Sequence, residues 1–337
     1  MKFTNLKVYY ILISTNNLWF ITSNWLNFWL KYMTLKEVGI IDAMAFLTGI
    51  LLEFPSGIVS DRLGRKQTLF LSQAFQLLGS LIVTLSSSVF EIGVGFVIFQ
   101  IGVAFYSGTI ESFGYESAIR EDKNYTSVLT NSGIISNFSY LFSLVVGGYL
   151  YLVNQNIPNI LFTLSFVIGF IVLFFSKESI KILEESISFD LKIKFNIYTI
   201  FLFILLMTIS FSFDYGFLKL VILEKFSDLN SSFWYIFGAT LSSLFLSGFL
   251  LKRIKSFNFS LIVVLASLLV SLSLIFYTFI PLFLFLSFSA IFVYQLSLKY
   301  INERVGDSQR ASVISLFNLL YKLPYVLIAL FLGYNLA

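Results

Sequence analysis

What most constrains this chain is the recurrence of apolar runs long enough to cross a membrane. An α-helix needs about 20 predominantly apolar residues to span the hydrocarbon core. Eleven such windows lie at roughly 8–30, 36–58, 68–88, 90–115, 128–152, 157–176, 196–222, 230–251, 258–278, 281–299 and 311–334. In lipid every backbone N–H and C=O must be satisfied within the protein, so spans of this kind form helices. The fold class is therefore an all-α polytopic membrane protein. Composition agrees: 58% of the residues are hydrophobic, 12% are charged and the mean hydropathy is +0.88, which leaves no room for a soluble domain beyond short loops.

The segments between the spans sort by charge. With the N-terminus placed in the cytoplasm, the outer loops hold Lys31, Lys36 and Lys225, and Lys219 and Lys322 fall within spans. The remaining Lys and Arg, from Lys2 and Lys7 through Arg62, Arg65, Lys66, Arg120 and Lys123 to Arg304 and Arg310, all lie on the inner side. The positive-inside rule then predicts a multi-pass protein of the cytoplasmic membrane with its N-terminus inside. That distribution also accounts for a pI near 9.0 without a nucleic-acid partner. The first span runs on to Leu30 with no small-residue cleavage site, so it reads as a span and not as a cleaved signal.

Several chemistries are excluded. Cys and His are both absent, which removes disulfides, thiolate chemistry, Cys/His metal sites and histidine proton relays. No G-x-x-x-x-G-K-S/T segment occurs, so nucleotide hydrolysis has no support. A membrane enzyme would need a clustered catalytic constellation or a long soluble loop, and neither is present. The reading is a non-enzyme with no cofactor and no metal.

An internal repeat divides the chain. Phe54-Pro-Ser-Gly57 is followed by Asp61-Arg62, and Phe245-Leu-Ser-Gly248 by Lys252-Arg253 at the same spacing. Tyr115 to Arg120 closes the fourth span much as Tyr300 to Arg304 closes the tenth. The charged stretch after the sixth span reads as a solvated linker. The expected domains are a six-helix bundle at 1–176, a cytoplasmic linker at 177–195 and a second bundle at 196–337.

Between the second and third spans lies a hydrophilic knot, from Glu53-Phe54-Pro55-Ser56-Gly57 to Ser60-Asp61-Arg62-Leu63-Gly64-Arg65-Lys66. It reads as a tight loop in which Gly57 and Gly64 supply the unusual φ of a sharp turn. Gly57, Asp61, Arg62, Gly64, Arg65 and Lys66 match the signature G-x-x-x-D-R-x-G-R-K, and on these residues the chain resembles the major facilitator superfamily of transporters. The segment Tyr106 to Ser117, together with Glu53-Phe-Pro-Ser-Gly57, resembles a bacterial branch of that family, and we expect a drug-efflux type. The resemblance implies two pseudo-symmetric helical bundles and twelve spans. Eleven are read here, so the C-terminal bundle is expected to hold five helices with the last absent. It also implies a conformational latch, in which Asp61 faces the N-terminal dipole of span eleven and the loop cations meet an acid at the foot of span four, with Glu116 the candidate.

A charge in hydrocarbon costs about 2.5 kcal/mol or more, so charged residues within spans are functional candidates by default. These are Asp42 and Glu53 in span two, Glu111 in span four, Asp214 and Lys219 in span seven, and Lys322 in span eleven. Lys219 lies close enough to the outer interface to snorkel and reads as an anchor. Lys322 lies about 18 Å along its helix, near the midplane. If spans two and eleven face each other as the resemblance implies, Lys322 pairs with Asp42 or Asp214, as a gate or as a permanent bridge. Pro324 is expected to kink the helix beside it. In span one, Asn17, Asn24 and Asn27 fall near one helical face. Amides there face the protein interior, as interhelical glue or as substrate contacts.

Span five carries Ser139-x-x-x-Ser143-Leu144-x-x-Gly147-Gly148 where proton-driven exporters of the family show G-x-x-x-G-P-x-x-G-G. Close helix packing explains the same spacing. The function expected is a secondary transporter, acting as a monomer, that moves a small organic solute by alternating access. Efflux of an amphipathic compound coupled to protons is the leading form. Import of a sugar or metabolite, or a membrane sensor derived from a transporter, are the alternatives.

Overall fold

The computed structural model describes residues 4–22, 24–178, 197–214, 293, 297 and 307–335, and every regular element among them is a helix. The chain divides into two compact units, Met1–Leu183 with Leu330–Ala337, and Glu184–Ala329.

In the first unit, α1 spans Asn5–Asn16, α2 Trp25–Trp29, α3 Leu35–Leu63, α4 Arg65–Leu85, α5 Val89–Arg120, α6 Tyr125–Val153 and α7 Ile157–Val172, with a 3₁₀ turn at Leu173–Phe175. By length and composition, Arg65–Leu85, Val89–Arg120, Ser127–Val153 and Ile157–Phe175 can each cross a membrane. Polar caps set the helix starts. Thr34 and Glu37 form a reciprocal capping box on α3, Ser88 accepts from the Glu91 amide at 3.3 Å on α5, and Asn124 accepts from the Ser127 amide at 3.3 Å on α6.

The helices pack through small residues. Apolar burial gives no drive between helices surrounded by lipid, so close backbone approach and interhelical hydrogen bonds carry the association. Ser72 and Gly79 of α4 lie seven residues apart, as do Gly95 and Gly102 of α5, and the two pairs meet head to tail. A Cβ on Gly79 would run into the backbone of Phe99 and Gly95, and one on Gly102 into Gln76 and the Ser72 carbonyl. The Ser72 hydroxyl donates to the Gly102 carbonyl at 2.8 Å. Along α3 and α5 the Ser56 hydroxyl donates to the Ala104 carbonyl at 2.9 Å. Thr84 of α4 meets the Thr163 hydroxyl of α7 at 2.9 Å. Phe99, Phe162 and Phe166 fill the space between these contacts, with Trp19 beside them.

The structure differs from the sequence reading in three places. The first span is not one helix: α1 ends at Asn16 and helix resumes at Trp25, so Asn17, Asn24 and Asn27 do not share a helical face. Side chains take up the carbonyls at the break. Asn16 and Asn17 donate to the carbonyls of Leu12 and Ile13, at 3.1 and 2.8 Å, and the Trp19 indole donates to that of Asn16 at 2.8 Å. Second, the hydrophilic knot is not a loop, because α3 continues to Leu63 and α4 begins at Arg65. Gly64 alone, at φ 96°, reverses the chain. Third, Gly57 lies inside α3 on an open face and takes no part in the turn.

In the second unit, α8 spans Ile197–Asp214 and α9 begins at Asp307; α9 continues through Pro324 without a break to Asn335, its residues from Leu330 on belonging to the first unit. The Thr208 hydroxyl of α8 donates to the Tyr321 carbonyl at 3.0 Å, and the ring of Phe211 meets those of Tyr321 and Tyr325 at 5.5 and 5.2 Å. The expected spans at 230–251, 258–278 and 281–299 lie outside the described residues, apart from Val293 and Ser297, which are helical and buried.

Candidate functional site

The one-residue turn at Gly64 puts the ends of α3 and α4 side by side and aims Arg65 and Lys66 in different directions. Arg65 turns inward. Its Nε lies 3.2 Å from Glu116 Oε1 on α5, and its Nη1 donates to the Ser60 hydroxyl at 2.7 Å. Both Glu116 and Ser60 are buried. Withdrawal from water is costly for both ions, and the ion pair with its added hydroxyl contact offsets that cost.

Lys66 turns toward the residues that follow α7. Its ammonium donates to the Ser176 carbonyl, and its backbone amide donates to Glu178 Oε1 at 3.3 Å. The Glu178 carboxylate therefore sits over the first turn of α4, where the helix dipole and free amides favour an anion. It lies close over Gly64, where a Cβ would be 2.6 Å from Glu178 Oε1, though the φ of 96° is what calls for glycine there. Arg120, at the end of α5, donates to the Glu178 carbonyl at 2.9 Å. Asn5 closes the group from α1: its Nδ2 donates to the Lys177 carbonyl at 3.0 Å, and its Oδ1 accepts the Lys177 amide at 2.9 Å. Glu121 accepts the Leu6 amide at 2.9 Å.

The structure thus brings together Gly64, Arg65, Lys66 and Glu116 of the expected latch. It leaves Gly57 and Arg62 on exposed surface, and the side chain of Asp61 is outside the described set. Glu178, Asn5 and Arg120 join the clasp unanticipated. The available signal was position: Lys177-Glu178 follows the sixth span directly, at the same end of the bundle as the cations of Arg65 and Lys66.

The candidates within spans are spread over separate helices. Asp42 of α3 is buried at 4% exposure, Glu53 of α3 is half-buried and Glu111 of α5 is exposed. Tyr9, Tyr106 and Tyr125 lie within electrostatic reach of Glu111. Asp214 closes α8, with its side chain outside the described set, and Lys322 is half-buried on α9. Asn27 is half-buried on α2. Asn24 is buried beside Gly147, donating to its carbonyl at 3.5 Å, while its Oδ1 has no partner among the described residues. The stripe on α6 acts in packing. Gly147 lies so close to the Phe20 backbone that no Cβ fits between them, and Ser139 shares a 2.8 Å hydrogen bond with Ser14. Among the described residues no group of acids is placed to hold a metal ion.

The fold is similar to that of a mutant of the nucleoside transporter NupG (TM-score 0.74, 13% identity, 98% of this chain and 90% of that one). It is also similar to a D-xylose-proton symporter (0.72, 13%, 97% and 88%). A third likeness is to a bacterial homolog of the human lysosomal transporter Spinster in an inward-facing, unoccupied conformation (0.66, 14%, 98% and 80%). No curated protein sequence matches the chain. Residues 9–329 match the Major Facilitator Superfamily, and the chain belongs to that family.

Proposed function

We propose that the protein is a proton-coupled exporter of a small amphipathic organic compound, working as a monomer in the cytoplasmic membrane of a bacterium with its N-terminus inside. The observation that carries this reading is the placement of acids in apolar spans, Asp42 at 4% exposure above all. A carboxylate is kept at such a position when it carries a proton, a counter-ion or a substrate charge. Asp42, Glu53, Glu111 and Asp214 are the proton carriers in this reading, Lys322 takes part in the coupling, and Asn24 and Asn27 contact the substrate. The clasp around Arg65 and Glu116, with Gly57, Asp61, Arg62, Gly64 and Lys66 as its other members, holds the cytoplasmic side shut and opens in each cycle.

Import is the second reading, favoured by the likeness in fold to a D-xylose-proton symporter. The test is uptake of a solute panel into inverted membrane vesicles carrying the full chain, with and without a protonophore. Export predicts accumulation that the protonophore abolishes and that Lys322→Met reduces to background. Accumulation in right-side-out vesicles alone would establish import, and no movement of any solute in either orientation would overturn the transport reading.

A further inference from the structure

One helix belongs to both units. α9 runs from Asp307 to Asn335, about 43 Å, and the division of the chain falls inside it, between Ala329 and Leu330. Every other described helix lies wholly in one unit. The end of α9 is seated on the start of α3. A Cβ on Gly333 would lie 2.8 Å from the Gly39 Cα and 3.1 Å from the Leu35 carbonyl oxygen, so the two backbones are in direct contact. Gly39 and Gly333 are both buried. Beside them the Lys36 ammonium lies 4.8 Å from the centre of the Tyr334 ring, a cation–π contact.

The part of α9 before the division is held by α8. Thr208 donates to the Tyr321 carbonyl at 3.0 Å, and the Phe211 ring rests on the buried rings of Tyr321 and Tyr325 at 5.5 and 5.2 Å. Pro324 stands between those two tyrosines in the chain. It has no amide hydrogen, so the Leu320 carbonyl lacks the donor that a helix would supply, and its ring crowds the turn before it. The helix is unbroken there, yet this turn resists bending least.

We propose that α9 hinges at Pro324, so that its end stays seated on α3 while the part before the proline follows the second unit. Glycine on glycine brings the backbones close enough for dispersion and Cα–H···O contact, the glue available to helices in lipid. Bending a proline turn breaks no hydrogen bond, whereas lifting the seat gives up all of that contact. Gly333 lies nine residues beyond Pro324, about 13 Å along the axis, and a bend of about 20° moves it by about 5 Å. Tyr321 and Tyr325 flank the pivot and shift little, so Phe211 stays on both. α9 is then a flexible tie that lets the units move over a short distance, and the Gly39–Gly333 contact is not a gate that parts. The hinge goes beyond the transport function proposed above and is the same for export and import.

The chain has no cysteine, so nitroxide labels can be placed on the full chain in lipid nanodiscs without background. Three exposed positions serve: Leu85 at the end of α4 as the reference in the first unit, Tyr334 on the seat and Leu316 before the proline. Double electron–electron resonance on Leu85→Cys/Tyr334→Cys is expected to give one narrow distance. The pair Leu85→Cys/Leu316→Cys, with an arm of about 12 Å to the pivot, is expected to spread over about 4 Å more. Pro324→Ala restores the missing helix bond and should remove the difference in width between the two pairs. Gly333→Ala, whose added carbon meets backbone, should broaden the Tyr334 pair. Equal widths in the otherwise native chain would overturn the hinge, whether both are narrow because nothing bends or both broad because the seat parts. A difference that survives Pro324→Ala would overturn it too. Vesicle transport by a chain with equal widths would sink the hinge and leave the transporter reading intact. The expected widths in a chain that moves no solute would sink the transporter reading and leave the hinge.

Discussion

At its charged end the first unit is tied together by side chains that reach. Arg65 crosses from α4 to Glu116 on α5, Lys66 and Arg120 extend to the backbone after α7, and Asn5 does the same from α1. Along the α4–α5 seam it is held instead by what the side chains lack. Gly79, Gly95 and Gly102 let the two backbones approach so closely that a single carbon cannot be added at any of the three without displacing a neighbour. The difference follows from the medium. Ionic and amide groups are affordable where water and headgroups can solvate whatever is left unpaired. Between helices in lipid, dispersion and short hydroxyl–carbonyl bonds are the available glue. The clasp is therefore built from long side chains reaching between elements, and the seam from direct contact of backbones.

That contrast can be broken experimentally. Gly79→Leu is expected to have the largest effect, about 3 kcal/mol or more of lost stability, because the carbons added meet backbone and not a movable side chain. Thermal unfolding in bicelles would measure it, and a wild-type midpoint would mean the seam is not close-packed. Arg65→Ala comes next, at about 1–3 kcal/mol. The loss falls below that for a fully buried pair because the Arg65 side chain keeps 22% of its surface against 9% for Glu116. Here Glu116→Gln in the Arg65→Ala background should restore part of the loss by removing the stranded charge, and a failure to do so would mean that Glu116 has another cation. Glu178→Ala is the smallest, at about 0.5 kcal/mol, since the carboxylate is exposed and its interaction is screened. Raising the salt to 1 M should shrink the Glu178 effect and leave the Gly79 effect unchanged. Equal salt sensitivity of the two would contradict the division drawn here.

Much of the first unit was legible in the sequence, for reasons that are local. The third to sixth spans appear as α4 to α7 within a few residues of their hydropathy limits, because an apolar stretch in lipid has no other way to satisfy its backbone. The pairing of Arg65 with Glu116 was expected on family resemblance and the side-chain geometry brings the two together. The break in span one was not legible. It lacks proline, whereas α3 runs through Pro55 and α9 through Pro324 without interruption. What ends α1 is a set of amides and an indole that bond to carbonyls near the break. Beside that set α6 brings Gly147 against the Phe20 backbone, a contact between residues far apart in the chain. The role of Glu178 was hidden for a similar reason: a charge after a span reads as solvated linker until the fold lays it over the first turn of another helix.

The sequence by itself determined that this chain is a bundle of membrane helices with a basic clasp between the second and third spans, because hydropathy and the turn-forming glycine act over neighbouring residues. Tertiary structure decided where the first span breaks, which glycines become seams and which acid answers which cation. Those outcomes depend on the distance of closest approach between helices far apart in the chain, and on nothing that any one of them carries alone.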